Sequence, residues 1–161
     1  MKNTITTLEV SKTFIEDCLV IKNNFHEDTR GTIWTSFHEK NFKKLQFVHD
    51  KFVISKKNVL RGIHGDKKTW KLISCLHGEF QLIVVNNDTK SKEYKKWKSF
   101  ILNSENKVQI LIPPNFGNGH LVLSESCIFH YKQNTEYDRS SQFTIKWNAD
   151  YSEDVYPYTN N

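Results

Sequence analysis

The chain has a single Met and only three Cys among its 161 residues. Cys18, Cys75 and Cys127 are odd in number, far apart and without a CxxC pair. That argues against a disulfide framework and a zinc knuckle, and for buried free thiols in a reducing cytosol. No stretch approaches the roughly eighteen apolar residues of a membrane helix, and the opening segment MKNTITTLEVSKTF lacks a signal-type apolar run. A soluble cytoplasmic protein with no membrane partner is expected. GxGxxG, GxxxxGK[ST] and GxSxG are all missing, and with them the signatures of dinucleotide, P-loop and serine-hydrolase sites. Linkers, repeats and low-complexity tracts are also missing, so residues 1–161 are expected to form one domain. Net charge is +5, but the lysines are scattered apart from EYKKWK and GDKKTWK. Without a long basic run, nucleic acid is not the expected partner, and a phosphate-bearing small molecule is favoured.

What is present is aromatic and strand-like. Eleven Phe, six Tyr and four Trp suit sheets better than helix surfaces. Short apolar or alternating runs recur between turn signals: CLVIK, GTIWTSF, LQFVHDKFVIS, WKLISCLHG, EFQLIVVN, WKSFILN, VQILIPP, HLVLS and CIFHYKQ. Many short strands at fairly even spacing predict an all-β sandwich or barrel. NNDTKS (86–91) and NSENK (103–107) read as turns. Phe37, Phe42 and Leu45 predict one short helix within Ser36–Leu45. Gly78 at a strand junction and the corner IPPNFGNGH fit a double-stranded β-helix (cupin) barrel; jelly rolls and lipocalin-like barrels share the strand count.

NVLRGIHGDKKTWKLISCLHGEF gathers Arg61, His64 and Lys71 where one strand ends and another begins. They form either a solvated turn or a cluster aimed at a substrate. Alternation puts Lys71 and Ile73 on one face and Leu72 on the other. An unpaired Lys among Trp70, Leu72 and Ile73 is costly to bury, so Lys71 either reaches water or meets an anion. In CIFHYKQNTEY, Phe129 and Tyr131 share a face opposite His130 and Lys132, and Tyr131 is either a barrel aromatic or a general acid. A metal site is not expected: two positions after His64 stands Asp66, so there is no HxH pair, and His120 alone is a weak complement.

DTRGTIWTSF, HDKFVISKKNVLRGIHGD, WKLISCLHGEF, NKVQILIPPNFGNGHLVLSE and FHYKQNTEY together resemble the dTDP-4-dehydrorhamnose 3,5-epimerases and their nucleotide-sugar relatives, over roughly residues 14–148. The short RGIHGDxKTxK form resembles a branch acting on GDP-4-keto-6-deoxy-heptoses for bacterial capsular polysaccharide or lipopolysaccharide. The resemblance implies a cupin barrel and inversion at C3, C5 or both of a nucleotide-linked 4-keto-6-deoxy sugar. His64 matches the base, Lys71 the cation beside the enolate oxygen and Tyr131 the acid on the opposite face. Arg30 and Arg61 match arginines that hold sugar and diphosphate, and Tyr137 an aromatic of the sugar site. His49, Lys51, Asn118 and His120 are further expected substrate contacts. In relatives a His usually stands where this chain has Asn118, and an aromatic where it has His120. An Asp of the C-terminal tail orients the base in relatives; Asp150 or Asp154 is the expected substitute. No cofactor or metal is implied, and strands crossing to a neighbour imply a homodimer. A sugar-nucleotide 3,4-ketoisomerase and a non-catalytic nucleotide-sugar-binding cupin are the competing readings.

Overall fold

The computed structural model describes residues 9–13, 15 and 17–147; Asp150 and Asp154 lie outside them. The strands are β1 (Glu9–Lys12), β2 (Leu19–Lys22), β3 (Phe25–Asp28), β4 (Gly31–Trp34), β5 (His49–Lys56), β6 (Leu60–Asp66), β7 (Lys71–His77), β8 (Glu79–Asn86), β9 (Trp97–Asn103), β10 (Val108–Ile112), β11 (Phe116–Val122), β12 (Ser126–Gln133) and β13 (Gln142–Thr144). They form a six-stranded sheet ordered β1-β2-β10-β7-β12-β5, a five-stranded sheet ordered β13-β6-β11-β8-β9, and a β3–β4 hairpin. The two large sheets make the jelly-roll barrel expected of the sequence.

The continuous apolar runs arise because the central strands are covered on both faces. On β8, Phe80, Leu82 and Val84 enter the main core, while Ile83 and Val85 pack with Ile63, Leu121 and Ile145. On β7, Ile73 and Cys75 enter the main core, and Leu72 turns to Phe42 and Leu111. All three cysteines are free and buried. Both predicted turns form: Asn103 Oδ1 accepts from the backbone N–H groups of Glu105 and Asn106, and Asn86 Nδ2 donates to Ser91 Oγ. Gly78 turns the β7–β8 corner at φ +73°, where a Cβ would lie 2.0 Å from the Ser126 carbonyl oxygen.

The helix expected over Ser36–Leu45 is a single 3-10 turn, Glu39–Phe42. Three apolar residues in ten do not offset helix nucleation, and the aromatics choose a cluster instead. Phe37 stacks on Phe42 at 5.5 Å, and Phe47 meets both edge-on.

One backbone contact sets the floor of the site. Gly62 on β6 lies at φ +117°, and a Cβ there would sit 2.5 Å from Gly119 Cα and 2.9 Å from Asn118 O. β6 and β11 thus approach closely, with a register shift that places three steps of β6, Arg61 to His64, against two of β11, His120 to Asn118, so that Arg61 and His64 can share a face. Gly62→Ala should lower the unfolding free energy in urea by roughly 2–4 kcal/mol, from positive φ plus backbone overlap. A loss below about 0.5 kcal/mol would show that the two strands can separate freely.

Candidate functional site

Between the sheets lies a cavity of about 190 Å³. Eight of the ten residues singled out from sequence line it: Lys51, Arg61, His64, Lys71, Asn118, His120, Tyr131 and Tyr137. Val53, Ile73 and Phe129 supply apolar wall. Alternation delivers these groups, since Lys71 and Ile73, and likewise Phe129 and Tyr131, face inward as pairs. His130 and Lys132 face the other way and meet Asp50 at 2.5 and 2.8 Å.

Two expected residues stand apart. Arg30, on the turn of the β3–β4 hairpin, is bound to Asp28 on the surface and does not line the cavity. Its place is fixed by an Asx turn, in which Asp28 Oδ1 accepts from the Arg30 N–H. His49 is paired with Gln133 in the β5–β12 register but is not a cavity wall.

His64 and Tyr131 reach the cavity from different sheets, β6 in the five-stranded one and β12 in the six-stranded one. His64 Nδ1 lies 3.3 Å from Thr144 Oγ1. With the proton on Nδ1 donated to that hydroxyl, Nε2 is the free acceptor. Burial raises the Tyr131 phenol further above its usual value, which already leaves it protonated at neutral pH. Burial, reinforced by the Lys51 charge and opposed by Asp66, brings the Lys71 ammonium down from 10.5 to about 8. Lys71 Nζ donates to Asn118 Oδ1 at 2.9 Å. His120 is pushed down to about 4 by burial and then by Arg61, so it is neutral at pH 7. Its ring stacks on Phe129 at 4.3 Å. Arg61 Nε donates to Ser55 Oγ at 3.0 Å. Lys51 Nζ stands 5.9 Å from the ring centres of both Tyr131 and Tyr137. A neutral acid, an imidazole acceptor and an ammonium around one cavity can carry a proton on and off carbon while stabilising an oxyanion.

Gln133, Gln142, Thr144 and Asp66 were not foreseen as parts of the site. Asp66 is 2 % exposed. It accepts from the N–H groups of Lys68 and Thr69, from Ser141 Oγ and from Gln142 Nε2. Burial alone would raise its pKa, but these hydrogen bonds hold it below the ordinary carboxylate value. The Asp-Lys-Lys-Thr spacing of an Asx turn was the signal that could have shown it. Gln142 and Thr144 come from a three-residue strand that only tertiary pairing with β6 creates. Among the described residues, no group of three or more His, Cys, Asp or Glu is placed to hold a metal.

The barrel and its cavity belong to a known class of sugar-modifying jelly rolls. The family model described as dTDP-4-dehydrorhamnose 3,5-epimerase matches residues 12–153. The epimerase of that name from Salmonella typhimurium is 37 % identical over 147 residues, covering 86 % of this chain and 80 % of the relative. A crystal structure of the Elizabethkingia anophelis enzyme superposes with a TM-score of 0.84 at 34 % identity, covering 92 % of this chain and 86 % of that one. The dTDP-6-deoxy-D-glucose-3,5-epimerase of Legionella pneumophila, solved with dTDP-4-keto-L-rhamnose, gives 0.86 at 32 % identity, covering 91 % and 81 %. This chain belongs to the dTDP-4-dehydrorhamnose 3,5-epimerase family, and is an enzyme of the isomerase class.

The Lys71 shift also makes a statement about stability. Below pH 8 the residue is charged in both states, and the folded state bears the full cost of burying the charge, at most roughly 3–4 kcal/mol. Between pH 8 and 10.5 only the unfolded state holds the proton, and that cost fades. Relative to Lys71→Met, the wild-type protein should therefore gain stability from pH 7 to 9.5 in urea titrations. A gap that stays constant over that range would mean the ammonium is not desolvated.

Proposed function

We propose that this chain inverts C3, C5 or both of a nucleotide-linked 4-keto-6-deoxy sugar without a cofactor, for synthesis of a surface polysaccharide in the cytoplasm. The observation that carries the reading is the arrival of His64 and Tyr131 at one cavity from opposite sheets, with Lys71 beside them. His64 Nε2 takes the proton on the carbon next to the ketone. The C–H electron pair moves into the ring as an enolate, and its oxygen charge meets the Lys71 ammonium. Tyr131 delivers its hydroxyl proton to the other face of that carbon. The imidazolium then loses its proton and the phenolate regains one through solvent, so the reaction is balanced as an isomerisation.

Arg61 and Lys51 supply positive charge for a diphosphate, and Tyr137 supplies a ring at the rim. The family name and the ligand of the Legionella relative favour a dTDP substrate. The GDP-heptose reading rests on the short connection between β6 and β7 alone. A homodimer fits the edge strand β5, which leaves Phe52 60 % and Ile54 73 % exposed. A β3–β4 hairpin crossing to a neighbour would then carry Arg30 toward the neighbour's cavity.

His64→Asn should lower solvent exchange at the carbon beside the ketone by about 10²–10⁴, with the fold intact by circular dichroism. Near-normal turnover would remove His64 as the base. Tyr131→Phe should keep deuterium uptake with retention while inversion collapses, since Phe has the same ring and no proton to give. Wild-type inversion in that variant would remove the acid role, and a product with its carbonyl moved to C3 would mark a ketoisomerase instead. Ile54→Lys should convert a dimer to a monomer in light scattering; a wild-type protein that is monomeric at micromolar concentration contradicts the dimer.

A further inference from the structure

The Asn118 side chain ties the strand that faces the proposed base to the strand that bears the proposed cation. It stands opposite His64 in the β6–β11 register. Its Oδ1 accepts from Lys71 Nζ at 2.9 Å, and Lys71 lies on β7 in the other sheet. The bond thus crosses the barrel from the sheet of the base to the sheet of the acid. An ammonium offers donors only, so the amide oxygen, and not its NH₂ group, must face it. The backbone of Asn118 is pinned as well, because Gly62 packs against Asn118 O and Gly119 Cα without room for a Cβ.

Other groups around Lys71 do not do this work. Asp66, from β6, spends its oxygens on Lys68, Thr69, Ser141 and Gln142 and acts on Lys71 through space. Lys51 from β5 and Arg61 from β6 carry like charge, and His64 from β6, His120 from β11 and Tyr131 from β12 complete the wall. Among the described residues, Asn118 supplies the side-chain acceptor bonded to the ammonium.

We infer that Asn118 is a positioning residue for Lys71: its carboxamide oxygen takes one of the three ammonium protons and turns the other two toward the oxygen where negative charge develops. A neutral acceptor suits this task. A carboxylate at the same place would hold the ammonium as an ion pair and repel the enolate. The inference deepens the epimerase reading and rests on it for its chemical meaning, though not for its first test.

That test titrates the Lys71 side chain by NMR in substrate-free protein with isotopically labelled lysine, with the signal assigned by Lys71→Met. Loss of the acceptor in Asn118→Ala should lower the midpoint by roughly half a pH unit or more, and the carboxylate of Asn118→Asp should raise it by roughly 1–3. With a 4-keto-sugar nucleotide, Asn118→Ala should lose roughly 10–100-fold in kcat for deuterium uptake while KM stays within about threefold. Asn118→Asp should lose kcat too, despite restoring an acceptor. Midpoints that do not move in either variant overturn the inference, as does wild-type kcat in Asn118→Ala. If the wild-type protein shows no exchange at all, the epimerase reading fails, and the titration still decides whether Asn118 holds Lys71.

Discussion

The site depends on keeping one ammonium inside an apolar barrel. Lys71 is 9 % exposed, its strand neighbours Leu72 and Ile73 are core residues, and its charge is opposed by burial. A protein gains nothing in stability from such a placement. The surrounding structure is arranged to tolerate it: a neutral amide accepts one proton, a buried carboxylate lies within electrostatic reach, and the remaining wall is polar where the ammonium points. Pulled down to about 8, the group is still mostly charged at neutral pH, yet its charge is poorly satisfied until an anion arrives. That is the condition under which a fixed cation favours an enolate over a neutral ketone.

The second constraint is stereochemical. Inversion needs a base and an acid on opposite faces of one carbon, and a single strand cannot offer both. A two-sheet barrel can, because each sheet turns alternate residues inward across a common interior. Here β6 and β11 bring His64 and Asn118, and β7 and β12 bring Lys71 and Tyr131. Alternation turns Asn118 and His120 to one face of β11, and the extra residue on β6 opposite Gly119, where Gly62 packs closely, lets Arg61 and His64 both face the cavity although they stand three apart. Burial shifts the two kinds of group in opposite directions, the Tyr131 phenol up and the His120 imidazole down, and each thereby favours its uncharged form.

The period-two pattern made much of this legible in the sequence. It placed Lys71 with Ile73, and Tyr131 with Phe129, on shared strand faces, and the barrel turns those faces of β7 and β12 inward. Runs such as EFQLIVVN read as strands because both faces of β8 are covered. What escaped was made by pairing rather than by pattern. Glu9–Lys12 has one apolar residue in four, and Gln142–Thr144 is too short to show any period, yet each pairs with a neighbour. Gln133 and Gln142 enter the cavity through register, and Asp66 is held behind its wall by a local turn, so no apolar signal announced them. Arg30 is expected at the site from the family resemblance, and within a single chain its hairpin holds it on the surface beside Asp28. Phe37 and Phe42 suggested a helix through their spacing, but aromatic packing used the same residues without one.

The central claim is that protons leave and return to carbon beside a ketone on opposite faces. It is tested most directly by incubating the wild-type protein with dTDP- and GDP-linked 4-keto-6-deoxy sugars in deuterium oxide and following the sugar by proton NMR. Loss of the C3 or C5 proton signal, or both, is expected, together with coupling constants of the inverted configuration in at least one of the two substrates. Retention of every carbon-bound proton in both substrates, with nucleotide-sugar binding intact, would contradict it.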